Sequence, residues 1–209
     1  MPMVRLRLRS GQEANGLQNA NFPNHVEGSC GKRGNGQTQL AKSVLQLCAR
    51  PKDSREYNTA VATAVRDFQP EDFETLWRMD QECFAPGVSY SKPELMSFIN
   101  RTGAFTLVAA DAKEIQGFIV IQGGKAGHVI TIDVRPQARR SGVGSLLLRG
   151  AEERLASAGS RMINLETAVD NVSALAFYKR HGYSVIRTWP RYYANGVDAL
   201  VLKKSLNNA

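Results

Sequence analysis

An α+β domain built on a mixed sheet is predicted for this chain by three observations. Apolar, β-branched-rich runs at residues 104–110 and 115–121 are separated by Asp111 to Glu114, the pattern of a hairpin, and Gly123-Gly124 then turns the chain into a third run at 128–134. Two amphipathic helical patterns, near 143–158 and 174–181, are interleaved with strand patterns at 162–168 and 183–189. Two further helical patterns precede the first hairpin, so strands and helices are mixed along the chain.

In chain order, residues 63–68 read as a first strand. Pro70-Glu71-Asp72 then suits a helix N-terminus, with proline at an early helical position and acids facing the helix dipole, and the helix runs through Leu76, Trp77 and Met79. A break at Ala85-Pro86-Gly87 separates it from a second helix starting at Ser91, with Glu94 three residues on as a capping box and Leu95, Phe98 and Ile99 as its apolar stripe. The hairpin and the central strand follow. In the next helix Val143, Leu146, Leu147, Ala151, Leu155 and Ala158 fall near the three-and-four spacing that turns one stripe toward a core. Ile163 and Leu165 alternate with Asn164 and Glu166 in the strand at 162–168. Asp170-Asn171-Val172-Ser173 supplies cap chemistry for a helix from about Ala174 to His181, ended by Gly182. Residues 183–189 and 197–203 form a last strand pair around Tyr192-Tyr193.

The segment Arg139-Arg140-Ser141-Gly142-Val143-Gly144 places a basic glycine loop between a strand and a helix. The first backbone N–H groups of a helix lack intrahelical partners and the dipole favours negative charge there, so a glycine loop that lets the backbone approach closely makes an anion cradle. Arg139 and Arg140 are expected to add fixed positive charge. A dinucleotide fingerprint would need a third glycine where Leu147 stands, and a P-loop would need Gly-Lys-Ser/Thr, whereas Gly31-Lys32 is followed by Arg33 and Gly124-Lys125 by Ala126.

What does match is the R/Q-x-x-G-x-G/A pattern at Arg139, Gly142 and Gly144, which resembles the acyl-coenzyme A pyrophosphate loop of the GNAT (Gcn5-related N-acetyltransferase) superfamily. Downstream, Asn171, Ala174, Tyr178, Gly182 and Tyr183 resemble the family's second block, N-x-x-A-x-x-x-Y-x-x-x-G-F/Y. Arg191-Tyr192-Tyr193-Ala194-Asn195-Gly196-Val197-Asp198-Ala199 resembles the hairpin of the branch that acetylates protein N-termini, the ribosomal-protein alanine N-acetyltransferases in particular. The resemblance covers residues 63–206 and implies the GNAT fold, a mixed, mostly antiparallel sheet with helices on both faces.

It also implies roles. Arg139, Arg140, Ser141, Gly142, Val143, Gly144 and Ser145 would hold the pyrophosphate of acetyl-CoA as co-substrate, and the strand edge from Ile132 to Val134 would pair with the pantetheine amides and offer an N–H to the thioester carbonyl. Asn171 would contact the cofactor as well as cap its helix. Glu166 is the candidate general base, a solvated surface acid being the alternative, and Tyr178 the candidate acid for the departing thiolate, a packed core aromatic being the alternative. Tyr90, Tyr192 and Tyr193 would line the peptide channel unless they serve only to pack their loops. Tyr90-Ser91 stands where the family usually has tryptophan before serine, which leaves the side-chain preference open. Asp198 reads as a hairpin residue. The function implied is transfer of an acetyl group to a protein N-terminus, a ribosomal-protein alanine first of all. A small amine or lysine acetyltransferase, or a non-catalytic acyl-CoA-binding module, is the alternative.

Residues 1–58 differ in composition from the domain at 59–209. They carry nine basic against four acidic residues in a chain of formal net charge +8, with frequent Gly, Asn and Gln and almost no apolar periodicity, so a largely disordered basic extension with a short helix near residues 40–48 is expected. An over-long translation start is the alternative. Contact with nucleic acid would be confined to this segment, since no RNA- or DNA-binding signature accompanies it. Cys30, Cys48 and Cys83 are odd in number and have no C-x-x-C spacing, and His25, His128 and His181 are scattered, so neither a disulfide framework nor a metal site is expected. Free thiols, with no signal-peptide apolar core and no stretch long enough to cross a membrane, point to the cytoplasm.

Overall fold

The computed structural model describes residues 63–84, 88–193 and 195–206. The expectations for residues 1–58, including the short helix, Cys30, Cys48 and His25, and for the break at 85–87 lie outside the described residues.

Seven strands form one sheet in the order β1-β2-β3-β4-β5-β7-β6, with β1 Ala64–Asp67, β2 Ala104–Ala110, β3 Ile115–Gln122, β4 Ala126–Val134, β5 Met162–Ala168, β6 Ser184–Trp189 and β7 Ala199–Ser205. Every neighbouring pair is antiparallel except β4 and β5. Four helices accompany the sheet: α1 Phe73–Cys83, α2 Lys92–Ile99, α3 Val143–Ser157 and α4 Val172–Arg180. This is the α+β, mostly antiparallel architecture with helices on both faces.

Alternation along the strands sorts side chains into two cores. Ile119 and Ile121 of β3, Val129 and Ile132 of β4 and Leu165 of β5 pack with Leu147, Leu148 and Leu155 of α3. On the other face Val108, Phe118 and Val120 pack with Leu76, Met79 and Cys83 of α1 and Leu95 and Ile99 of α2. Two strand glycines let α3 approach: a Cβ at Gly127 would lie 2.4 Å from Leu155 Cδ1, and one at Gly117 would lie 2.8 Å from the Asp133 carbonyl oxygen and 3.0 Å from Val143 Cγ1.

Caps fix the ends. A 3₁₀ turn at Pro70–Asp72 precedes α1, and the Asp72 carboxylate takes hydrogen bonds from the Gln69 N–H at 2.8 Å and from both Arg66 nitrogens at 2.6 and 2.8 Å. The Ser91 N–H donates to Glu94 Oε2 at 2.9 Å, the expected return arm of the capping box. Helix α4 starts at Val172, two residues before the expected start, because Asn171 is the cap: its Oδ1 accepts the Ala174 N–H at 3.1 Å. Strand β7 starts at Ala199 rather than 197, because the residues before it serve the turn. Asp198 Oδ1 accepts the Arg191 N–H at 2.7 Å, and the Tyr193 N–H donates to the Val197 carbonyl at 3.1 Å.

Candidate active site

The site begins where β4 and β5 part. The two strands pair only from Ala126–Met162 to His128–Asn164, although β4 runs on to Val134 and β5 to Ala168. The β3–β4 ladder skips Ile130 at that point, since Ile121 pairs with Val129 and Val120 with Thr131. An extra residue bends the strand that carries it, so β4 turns away from β5 and leaves two facing edges. The resulting cleft is lined by Val129 to Ile132 of β4, Leu165 to Thr167 of β5, Asn171, Ala174 and Tyr178 at α4, Phe84 after α1 and Tyr193.

At one end of the opening stands the glycine loop. Gly142, the N-cap of α3, has φ +95°, a conformation that costs an L side chain strain, and no atom lies within 4 Å of where its Cβ would be. The first helical bond is from the Leu146 N–H to the Gly142 carbonyl at 3.0 Å, which leaves the N–H groups of Val143, Gly144 and Ser145 without intrahelical partners. Arg140, also left-handed at φ +63°, and Ser141 are exposed, and the Ser141 hydroxyl donates to the Ala138 carbonyl at 2.7 Å. Arg139 differs from expectation. Its Nε donates to the Val134 carbonyl at 3.2 Å and its guanidinium reaches the Cys83 thiol, so the side chain turns inward beneath the loop rather than out from it. Ile132 and Val134 are buried on β4, and the Val134 carbonyl is taken by Arg139 and by Cys83 Sγ at 3.4 Å.

Alternation on β5 sends Leu165 toward α3 and α4 and Glu166 to the opposite face. There Glu166 Oε2 lies 2.6 Å from His128 Nε2, with the carboxylate side chain only 10% exposed. His128 was missed by sequence reasoning. Tyr192 is buried nearby, and burial, then the Glu166 charge, pushes its phenol above the ordinary range, so it stays neutral. Tyr178 is buried on the α3 and α4 side, its ring edge-on to Phe177 at 5.2 Å and to Tyr183 at 5.4 Å. A carboxylate–imidazole pair and a phenol therefore flank one opening from its two sides.

The three tyrosines placed in the peptide channel by sequence divide. Tyr193 lines the cleft, and Tyr192 packs beside it at 5.1 Å and against Trp189. Tyr90 packs on Phe98 at 4.9 Å, its backbone held by Asp80 Oδ2, Trp77 Nε1 and Gln81 Nε2, and the cleft receives Phe84 from this region instead. Cys83 is buried, and burial, with Asp133 as the next cause, pushes its thiol up to about 12. It is no acyl-accepting nucleophile, because the thiolate is the reactive form.

Residues 71–183 match the acetyltransferase (GNAT) family, more than half of the chain. The chain belongs to that family. An uncharacterized N-acetyltransferase of Methanocaldococcus jannaschii is 30% identical over 148 residues, 69% of this chain and 93% of the relative. N-alpha-acetyltransferase 30 of Schizosaccharomyces pombe is 29% identical over 53% of this chain and 77% of its own length. The fold is shared with the ribosomal-protein-S18-alanine N-acetyltransferase from Escherichia coli, at TM-score 0.64 and 20% identity over 71% of this chain and 96% of that one. This chain is thus an N-acetyltransferase of the GNAT type, a family that uses acetyl-CoA. The open first turn of α3, its left-handed glycine and the β4 edge beyond its pairing with β5 fit a pyrophosphate joined to an extended amide chain.

Proposed function

We propose that this chain transfers the acetyl group of acetyl-CoA to the α-amino group of a protein N-terminus, a ribosomal-protein alanine being the candidate substrate and the cytoplasm the compartment. The observation that carries the reading is the Glu166–His128 pair on one side of the β4–β5 opening with Tyr178 on the other. The N-alpha-acetyltransferase relative supports the choice of acceptor, as does the Tyr192–Tyr193 loop over the acceptor side.

Acetyl-CoA supplies an acyl group already activated as a thioester. The protein's part is to hold it by the first turn of α3 and Asn171 and to present the β4 edge beyond its pairing with β5, where a backbone N–H can donate to the thioester carbonyl. Glu166 accepts the proton that the attacking amine loses, and His128 at 2.6 Å takes a share of it, which keeps the buried carboxyl from having to hold it alone. An α-amino group has a pKa of about 8 against about 10.4 for lysine, so a base of carboxylate strength is enough near neutrality. The Tyr178 hydroxyl delivers a proton to the leaving sulfur. Nothing needs to be acylated on the protein, in keeping with the buried Cys83 thiol.

The test offers the full chain two peptides: one with a free N-terminal alanine, and one blocked at its N-terminus and carrying an internal lysine. Mass spectrometry should find the acetyl group on the alanine nitrogen of the first. Faster acetylation of the lysine peptide would refute the N-terminal specificity.

A further inference from the structure

The first turn of α3 is tied to the far end of α4 by a side-chain contact that the chemistry above does not use. His181, the C-cap of α4, places Nε2 2.9 Å from Oγ of Ser145, the third residue of α3. Its ring stands edge-on to Phe177 at 4.6 Å, and Phe177 in turn lies against Gly144, where an added Cβ would meet the ring at 3.4 Å. The imidazole, the phenyl ring and two loop residues thus pack as one unit behind the open N–H groups. A serine hydroxyl has one hydrogen. If it donates to a bare Nε2, its oxygen meets a phosphate lone pair to lone pair; if it accepts from Nε2–H, its hydrogen is free for the phosphate.

We propose that His181 is a positioning residue for acetyl-CoA: by donating through Nε2 to Ser145 Oγ, it fixes the hydroxyl as an outward hydrogen-bond donor to the pyrophosphate. This rests on the acetyl-CoA reading of the loop. A linkage follows from it. Burial holds the imidazole below its ordinary pKa, and Lys204 of β7, Arg149 of α3 and Arg180 of α4 act in the same direction, while Glu152 of α3 opposes them. Glu152 is itself engaged by Lys204 Nζ at 2.5 Å and the Tyr183 hydroxyl at 2.9 Å. The free protein therefore keeps His181 neutral near pH 7. A bound dianion beyond Ser145 favours the imidazolium, whose Nε2 can only donate, so binding takes up a proton in the slightly acid range.

Coenzyme A binding to the full chain, measured by calorimetry between pH 5.5 and 8 in buffers of different ionisation enthalpy, tests this together with an NMR titration of the His181 ring. His181→Leu and Ser145→Ala should each raise Kd about tenfold, the equivalent of one hydrogen bond to a charged group, and the double variant should be no weaker than either. His181→Gln, whose amide can still donate, should bind within about threefold of wild type but lose the extra proton uptake near pH 6. The difference between wild type and His181→Gln removes the uptake by the ligand's own phosphate monoester, which titrates near pH 6. In the NMR titration the His181 pKa should rise on adding coenzyme A. Equal Kd for wild type, His181→Leu and Ser145→Ala, or a His181 pKa unmoved by the ligand, overturns the proposal while leaving the loop as the cofactor site. Failure of the wild type to bind coenzyme A overturns the cofactor reading itself.

Discussion

Replacing Gly117 by alanine should loosen the seat of α3, and the size of the effect can be worked from the contacts. The new Cβ would lie 2.8 Å from the Asp133 carbonyl oxygen, 3.0 Å from Val143 Cγ1 and 3.1 Å from Leu147 Cδ1. The two side-chain tips can rotate, but the oxygen belongs to the backbone of the paired strand β4, so strand or helix must give by several tenths of an ångström. Overpacking of this kind costs about 1–3 kcal/mol, and a backbone obstacle puts the value toward the upper end. For a domain of this size each kilocalorie lowers Tm by about 2–4 °C, so a drop on the order of 8 °C is expected. Gly150→Ala on α3 is the matched control. Its Cβ would meet Leu107 Cδ1 at 3.4 Å and Val65 Cγ1 at 3.7 Å, ordinary contact, and alanine in a helix interior is favoured over glycine by about 1 kcal/mol. Urea and thermal unfolding should move the two variants in opposite directions. Because Val143 is one of the residues pushed, Gly117→Ala should also weaken coenzyme A binding. Equal stability of Gly117→Ala and wild type would refute the packing account of how α3 is placed.

Gly142→Val should keep the fold, since no atom lies within 4 Å of the new Cβ, yet lose at least tenfold in coenzyme A affinity by calorimetry as the loop leaves its left-handed conformation. Asp72→Asn should destabilise the domain by about 1 kcal/mol at pH 7, allowing for solvent screening at the half-exposed Arg66. The Arg66 hydrogen bonds hold the Asp72 carboxyl below the usual carboxylate range, so its stabilisation is present above the unfolded pKa and is lost as pH falls through the lowered one; urea midpoints of wild type and variant should converge there. His128→Gln should lower turnover with an N-terminal peptide by about tenfold without changing coenzyme A affinity, because it leaves Glu166 to hold the proton unaided.

Most of the sheet was legible because its strands obey local rules. The range 104–110 is legible as an apolar, β-branched-rich run, 162–168 from Ile163 and Leu165 alternating with polar residues, and α3 from an apolar stripe that follows a glycine loop. Glu166, Asn171 and Tyr178, singled out on separate elements, all line one cleft. What escaped depends on relations between segments. His128 meets Glu166 because the parallel register of β4 and β5 sets His128 opposite Asn164, two residues from Glu166, and that register is not written in the local pattern. Arg139 read as a loop cation because a basic residue beside glycines suggests one, whereas its side chain turns to the Val134 carbonyl beneath the loop. For Tyr90 both a channel role and loop packing fit the sequence; three side-chain bonds to its backbone hold it beside Phe98 of α2.

In the proposed reaction protons move on the two sides of the β4–β5 opening, onto Glu166 from the amine and from Tyr178 to the sulfur. The most direct measurement is turnover of Glu166→Gln and Tyr178→Phe against pH with a peptide bearing a free N-terminal alanine, using acyl donors whose thiols differ in pKa. Glu166→Gln should lose about 100-fold or more, most severely below the amine pKa of about 8, where more deprotonation is required. Tyr178→Phe should lose about as much with coenzyme A as leaving group and recover with a more acidic thiol, which needs less protonation. Near-wild-type turnover in both variants, with coenzyme A binding intact, would contradict the account.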